Sequence, residues 1–324
     1  MTVSPDRTIP FSIAFEDVVA NIEQVIRGKR AAVELAVVCL FAEGHLLVED
    51  VPGLGKTTLA RCLAASVNAG CHRVQFTPDL LPADITGTNV FNQRTGEFRF
   101  RPGPVFANLV IGDEINRASP KTQSALLEVM EERHVTVDGT SYPVPLPYMV
   151  IATQNPVDMD GTYTLPEAQL DRFLLRLRIG YPTLDAELEI LEGRQVGRRV
   201  EDLRPVMRAE DVVTHAERTL GVHVAPEMRR YIVRVVAATR TRHDVVRLGA
   251  SPRGSVALLR AAQVRAASVG RTFVTPDDVQ ILAGPVLAHR LVLSPEAELR
   301  RVSAEDVVAE VLDSVPSPRR LVGA

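Results

Sequence analysis

The sequence predicts an α/β protein: a parallel sheet with helices on both faces and two β-hairpin insertions, followed by a smaller all-α domain. Short apolar strands alternate with helical stretches up to about residue 181, and each of these strands ends in polar residues. Beyond Tyr181-Pro182 the strand signals fade and helical spacing takes over.

The first ~30 residues are mixed and are expected to form an arm and the start of a helix. Ala31 to Phe41 is apolar with helical spacing, and His45 to Glu49 reads as a short buried strand. The chain then turns through Pro52-Gly53-Leu54-Gly55 into a helix whose Leu59, Cys62, Leu63 and Val67 fall on one buried face. A second strand, Leu109-Val110-Ile111, runs into Asp113-Glu114. Ser119-Pro120 then opens a helix with a capping residue and a proline at its first position. Tyr148 to Thr153 is a third strand, ending in Gln154-Asn155-Pro156. In a sheet of this type ligands gather at the carboxyl ends of the strands.

Two hairpins interrupt the rhythm, one over residues 90–106 around Arg94-Thr95-Gly96, the other over 135–144 with a turn at Asp138-Gly139. Helices are expected near 183–195, 208–219, 226–240, 252–268, 276–290 and 304–313. Pro226, Pro252, Pro276 and the Ser303–Asp306 box supply starts, and Gly221 and Gly270 supply stops.

Composition narrows the class. The chain has 324 residues, of which 46% are hydrophobic and 24% charged, the profile of a folded globular protein with enough length for one large or two medium cores. The longest strongly apolar run, Leu35 to Ala42, is far short of the ~20 residues a membrane-spanning helix needs. The start of the chain does not read as a secretory signal, so a cytoplasmic location is expected. Cys39, Cys62 and Cys71 are too irregularly spaced for a disulfide framework, and the seven histidines form no ligand pattern beyond the adjacent Cys71-His72. A net charge of −3 without a basic block argues against a protein held mainly by nucleic-acid phosphates. Lysine occurs only at 29, 56 and 121, which makes each one informative.

Residues 50–57 (DVPGLGKT) match the phosphate-binding loop GxxxxGK[ST] except at the first position, where Asp50 replaces glycine. Glycines let backbone N–H groups approach phosphates, Lys56 reaches the outer ones, and the Thr57 hydroxyl can hold Mg2+. Val51, Pro52, Gly53, Leu54, Gly55, Lys56, Thr57 and Thr58 are the expected nucleotide contacts. Asp113-Glu114 follows 57 residues after Lys56 at the end of a strand. A neighbouring parallel strand would bring both carboxylates to the phosphates, Asp113 to hold magnesium and Glu114 to orient and deprotonate the attacking water. Taken singly, the loop also fits an ordinary strand-to-helix turn and the acidic pair fits a helix cap; their coincidence favours the nucleotide site.

With these residues in place, the sequence resembles the MoxR family of AAA+ ATPases over residues 15–315. The carrying segments are Leu46–Thr58 (LLVEDVPGLGKTT), Phe76–Gly87 (FTPDLLPADITG), Asp113–Ser119 (DEINRAS), Thr153–Pro156 (TQNP), Leu165–Phe173 (LPEAQLDRF) and Ala250–Gly254 (ASPRG). Aspartate at position 50 is common in that family. The resemblance implies ATP hydrolysis with Mg2+ by an AAA+ core over 31–182, after an arm and start of core over 1–30, and then a linker helix region over 183–206 and a helical lid over 207–324. It implies that Asn155 resembles the first sensor at the γ-phosphate or attacking water. Arg172 resembles the arginine finger that reaches a neighbour's nucleotide, and Arg253 the second sensor. For Arg172 an ion pair to Asp171 or Glu167 stays open, and for Arg253 a solvated role. Ile26 and Gly28, in Val25-Ile26-Arg27-Gly28, resemble the segment that packs on adenine. Arg117 either faces a subunit boundary or binds Glu114.

The hairpins resemble insertions that face the central pore of a ring, with Phe91, Phe98 and Phe100 as contact or packing residues. A ring of identical subunits is implied, expected as a hexamer, acting as a chaperone on protein clients that contain von Willebrand factor A domains. The alternatives are a nucleic-acid motor of the related helicase type and a nucleotide-gated scaffold with negligible turnover.

Overall fold

A computed structural model describes residues 9–51, 53–155, 163, 165–181, 184, 187–188 and 199–318. Pro52, Pro156 and most of the expected 183–195 helix and of the 183–206 linker lie outside the described residues. The chain opens with α1 (Phe11–Glu23) and α2 (Arg30–Phe41), then β1 (Leu46–Glu49), α3 (Lys56–Ser66) and β2 (Cys71–Gln75). A short α4 (Pro82–Thr86) precedes the first hairpin, β3 (Gly87–Asn92) and β4 (Glu97–Pro102), and β5 (Leu109–Asp113) follows. Next come α5 (Pro120–Glu132), the second hairpin β6 (His134–Val137) and β7 (Thr140–Pro143), β8 (Met149–Gln154), α6 (Glu167–Leu170) and β9 (Leu175–Leu177).

Five strands form one parallel sheet in the order β2-β5-β8-β1-β9. Strand alternation then splits the core in two. Leu46, Val48, Leu109, Ile111, Met149 and Ile151 face α1, α2 and α3, while Leu47, Val110, Val150 and Ala152 face α5. Each large side chain so buried contributes about 1.5–3 kcal/mol, which is what holds the carboxyl edge of the sheet rigid beneath its loops. Cys39 and Cys62 are buried in the first of these layers, and burial pushes the Cys62 thiol up to about 12.

Both edge strands are additions to the sequence reading, and their position explains why. β2 has only Val74 fully buried and β9 is three residues long, so neither carries the continuous apolar run that marks a strand covered on both sides. The amino-terminal region also differs from an arm: α1 is a complete helix, whose Phe11 and Phe15 pack on Phe41 of α2. The second hairpin turns where Asp138-Gly139 predicts, with positive φ at both residues. The two hairpins touch through Phe100 stacked on Tyr142 at 4.1 Å and through Asn89 donating to Asp138 at 2.6 Å.

The remaining chain is α7 (Ala209–Thr219), α8 (Pro226–Ala238), β10 (Val246–Leu248), α9 (Pro252–Ser268), α10 (Pro276–Leu287), β11 (Val292–Leu293), α11 (Pro295–Leu299) and α12 (Ala304–Ser314). Ser251 caps α9 and Ser303 caps α12, each side chain accepting a backbone N–H of the first turn. The helix expected to run to 290 stops at Leu287 and tightens into a 3₁₀ turn over Ala288–Arg290. A two-stranded ribbon of β10 and β11, absent from the all-helical expectation, closes the loop between α8 and α9 onto the segment after that turn. Among the described residues no helix is long and apolar enough to cross a membrane.

Candidate functional site

The loop between β1 and α3 is built by two glycines. Gly53 and Gly55 have φ of +86° and +84°, which an L side chain adopts only at a cost. A Cβ at Gly53 would meet nothing within 4 Å, so conformation rather than space demands glycine there, and the volume above the loop is open for a phosphate chain. Gly55 ends in the left-handed region and α3 starts at Lys56, so the free N–H groups and positive dipole end of α3 face that volume. Lys56 turns its ammonium onto the carbonyl of Asp50, which keeps it over the loop. Burial pulls its pKa below the usual lysine value, opposed by the charges of Asp50, Asp113 and Glu114.

β5 carries its acidic pair to the same place. The Thr57 hydroxyl donates to Asp113 at 3.1 Å, and Asp113 also accepts from the Thr153 hydroxyl of β8 at 3.1 Å. Three elements that are far apart in sequence thus converge on one buried carboxylate. The backbone of Glu114 is left-handed (φ 56°) and its N–H donates to Thr153 at 3.0 Å, which turns its side chain out of the strand. Arg117 binds Glu114 at 3.0 Å, so of its two sequence alternatives the ion pair is the one formed within the subunit. Asn155 is buried immediately beyond β8. Ile26 approaches the loop, its Cδ1 3.7 Å from where a Cβ on Gly55 would stand, and Gly28 has a positive φ of 67° that ends the segment in a tight turn.

Arg172 and Arg253 are not part of this group. Both contact Glu131, at the carboxyl end of α5. Arg172 Nε lies 3.0 Å from Glu131 Oε2, an ion pair by distance whose N–H is not aligned as a hydrogen bond. The pairings to Asp171 or Glu167 left open by the sequence are not formed: Asp171 binds Arg290 at 2.8 Å, and Glu167 lies 3.6 Å from Arg247. Arg253 is not simply solvated either, because Glu131 takes its guanidinium. The next residue back, Met130, accepts from the ring of His45 at the start of β1. The two arginines therefore sit at the amino-terminal end of the sheet, opposite Lys56.

Comparison with known proteins decides the family. Residues 45–175 match the ATPase family associated with various cellular activities (AAA), and residues 237–311 match the AAA lid domain. The chain is 41% identical to Chaperone MoxR1 of Mycobacterium tuberculosis (strain ATCC 25618 / H37Rv), covering 94% of this chain and 82% of that protein. It is 30% identical to Protein MoxR of Methylorubrum extorquens, over 92% of this chain and 93% of the relative. The chain belongs to the MoxR family of AAA+ ATPases. A solved structure from Cytophaga hutchinsonii ATCC 33406, named by inference as an ATPase, superposes with a TM-score of 0.88 at 34% identity, covering 95% of this chain and 97% of that one. The fold is thus the AAA+ core with an AAA lid, and the chemistry is ATP hydrolysis.

Within this MoxR-family core, three residues near the loop escaped sequence reasoning. Asp50, read only as a departure from glycine, accepts the N–H groups of Ile179 and Gly180 at 2.8 and 2.7 Å, and so ties the phosphate loop to the segment leaving β9. Lys29 donates to the carbonyl of Tyr181 at 2.6 Å, fixing the other side of that segment. Arg73 of β2 donates to Asp113 at 2.6 Å. None had a signal along the chain, because each acts on a partner that only the sheet order brings near; the scarcity of lysine was the one hint for Lys29.

Proposed function

We propose that this ATPase works as a ring of identical subunits, expected as a hexamer, in which hydrolysis drives chaperone-like remodelling or maturation of partner protein complexes. The observation that carries this reading is the division of labour across the sheet. The phosphate loop, Thr57, Asp113 and Glu114 stand at one end, while Arg172 stands at the other, where it cannot serve its own nucleotide. A second subunit completes the pocket.

ATP phosphates would lie against Val51, Gly53, Leu54 and Gly55, with Lys56 on the outer phosphates and Thr58 in the first turn of α3. Ile26 and Gly28 would border the adenine. The Thr57 hydroxyl and the Asp113 carboxylate are oxygen donors 3.1 Å apart, which suits magnesium, a hard cation that keeps several waters and takes one or two protein oxygens. Magnesium would neutralise charge on the phosphate oxygens. Glu114 orients the attacking water and takes its proton, after exchanging its contact with Arg117 for one with that water. Asn155 holds the water or the γ-phosphate from the end of β8. Arg172 enters from the neighbouring subunit, and Arg253 supplies the second sensor.

Chaperone work on proteins is favoured over a nucleic-acid motor by the net charge of −3, by the lack of a basic tract and by the relative named a chaperone. Clients with von Willebrand factor A domains follow from the family resemblance, and a cytoplasmic setting fits such a partner. At the first hairpin, Phe91 and Phe98 are exposed and paired at 5.2 Å, available for client contact, whereas Phe100 is engaged in packing on Tyr142.

Phosphate release per subunit, measured across a protein dilution series with magnesium, is expected to rise steeply where the ring assembles and to respond little to single-stranded DNA. Turnover independent of concentration would remove the ring, and strong salt-dependent stimulation by DNA would favour the motor. Client class is tested by capture from native cells on the Glu114→Gln protein with ATP and identification by mass spectrometry. Recovery of von Willebrand factor A proteins is expected, and their absence from a loaded ring would sink that assignment.

A further inference from the structure

Glu131 is the point where the core and the lid meet in a shared charge. One of its carboxylate oxygens lies 3.0 Å from Arg172 of the core, and the other binds the guanidinium of Arg253 at the start of α9. Among the described residues neither arginine has a second carboxylate. Two cations on one anion leave the group with a net positive charge, and without the anion the two guanidiniums would repel each other.

A second set of contacts fixes the same junction. Arg290, nearly fully buried, binds Asp171 at 2.8 Å and the carbonyl of Phe173 at 2.7 Å, so it grips the residues on both sides of Arg172. Ser251, which caps α9 two residues before Arg253, donates to the other oxygen of Asp171 at 2.7 Å. Arg172 and Arg253 are therefore each adjacent in sequence to residues that are joined to one another, and Glu131 closes the figure from α5.

We propose that Glu131 is a positioning residue: it holds Arg172 and Arg253 side by side, so that core and lid of one subunit present a preassembled pair of arginines to the nucleotide of its neighbour. This rests on the ring reading above. Each of the two ion pairs is half-exposed and by itself stabilises little, as is usual for such pairs, so Glu131 contributes geometry more than fold stability. A misplaced catalytic group of about 1 Å can cost up to ~100-fold in rate, so loss of the clamp is expected to be felt in turnover.

The test compares Glu131→Gln, Glu131→Asp and Arg172→Ala at concentrations where the ring forms. Glu131→Gln should lower kcat about 10-fold while KM for ATP stays within about twofold, because the subunit's own phosphate loop is at the far end of the sheet. Glu131→Asp, which keeps the charge, should recover part of the loss. Mixing Glu131→Gln subunits with Glu114→Gln subunits should give more turnover than the sum of the two alone, since the latter supply an intact clamp to the former. In the Glu131→Gln background, Arg253→Ala should cost less than it does in the wild type.

Wild-type kcat in Glu131→Gln alongside an inactive Arg172→Ala would overturn the clamp and leave the ring reading standing. Wild-type kcat in Arg172→Ala would overturn the assignment of Arg172 to the neighbour's nucleotide, and the clamp with it. A Glu131→Gln defect that appears as raised KM or lost assembly, or that mixing does not relieve, would show that Glu131 is merely structural.

Discussion

The two ends of the sheet gather charged groups by different means. At the carboxyl end the groups come from short motifs on adjacent strands, and backbone does much of the work: two positive-φ glycines, a helix amino terminus and a left-handed Glu114. At the amino end Glu131, Arg172, Arg253 and Arg290 come from four distant segments, and side-chain ion pairs do the work. The first arrangement is stiff because the sheet makes it so. The second depends on the lid being docked on the core.

The largest expected effect falls at the carboxyl end. Glu114→Gln removes the proposed base, and turnover should drop by about 10² to 10⁴-fold while ATP binding by calorimetry persists. Retained turnover would mean that the water is activated elsewhere and would blur the contrast between the ends.

At the amino end, Arg290→Met leaves Asp171 without its cation and removes the guanidinium donors to the carbonyls of Phe173 and Leu174. Breaking a buried pair of this kind costs about 3–5 kcal/mol, read as a lowered denaturant midpoint. The same variant should lose turnover more than ATP affinity; equal losses would show that docking of the lid also shapes the phosphate loop.

Acid should separate the two ends further. His45, at the start of β1, accepts the N–H of Val150 at 3.0 Å through Nδ1, so its other nitrogen donates to the carbonyl of Met130 at 3.0 Å. Burial pushes its pKa down to about 4, and His289, whose ring N–H donates to the carbonyl of Phe173, is pushed down by burial as well. A depressed histidine favours the neutral folded form. Its contribution is present above the unfolded value near 6.5 and is lost as pH falls toward 4, an effect on the order of 3 kcal/mol for His45. Hydrogen exchange at pH 5 should accelerate first around residues 130–133 and 171–175; uniform acceleration would contradict a locally titrating junction.

The smallest change sharpens the carboxyl end. Asp50→Asn keeps the size of the side chain but weakens two charge-assisted hydrogen bonds to Ile179 and Gly180, at a cost of about 1–2 kcal/mol. ATP affinity should fall several-fold with little change in kcat for bound ATP. An unchanged affinity would show that the tie to β9 is independent of the loop.

The fold was legible wherever a residue's neighbours along the chain carry its reason. The phosphate loop, the Asp138-Gly139 turn, the capped starts of α9 and α12 and the three central strands all follow from local spacing, because a strand covered on both faces must be apolar throughout and a helix must begin with a cap. β2 and β9 were missed since an edge strand needs no such pattern, and α1 was underestimated because its partners, α2 and α3, come later in the chain. The geometry of the phosphate-loop motif was legible because it is largely a backbone property of one short, glycine-built turn. The surroundings of Arg172 were not: the carboxylate that binds it is 41 residues away, and the nearer Asp171 and Glu167 are occupied by Arg290 and Arg247.

The sequence by itself determined the α/β plan, the glycine turn of the phosphate-loop motif, the acidic pair at the end of β5 and the family, since each is written in contiguous residues whose geometry the backbone enforces. Only the tertiary structure decided that Asp50 anchors the loop to β9, that Arg73 and Thr153 share Asp113, and that Arg172 and Arg253 meet on Glu131 at the end of the sheet away from Lys56. Those contacts join side chains brought together by strand order and lid docking, and no spacing along the chain encodes which charge finds which partner.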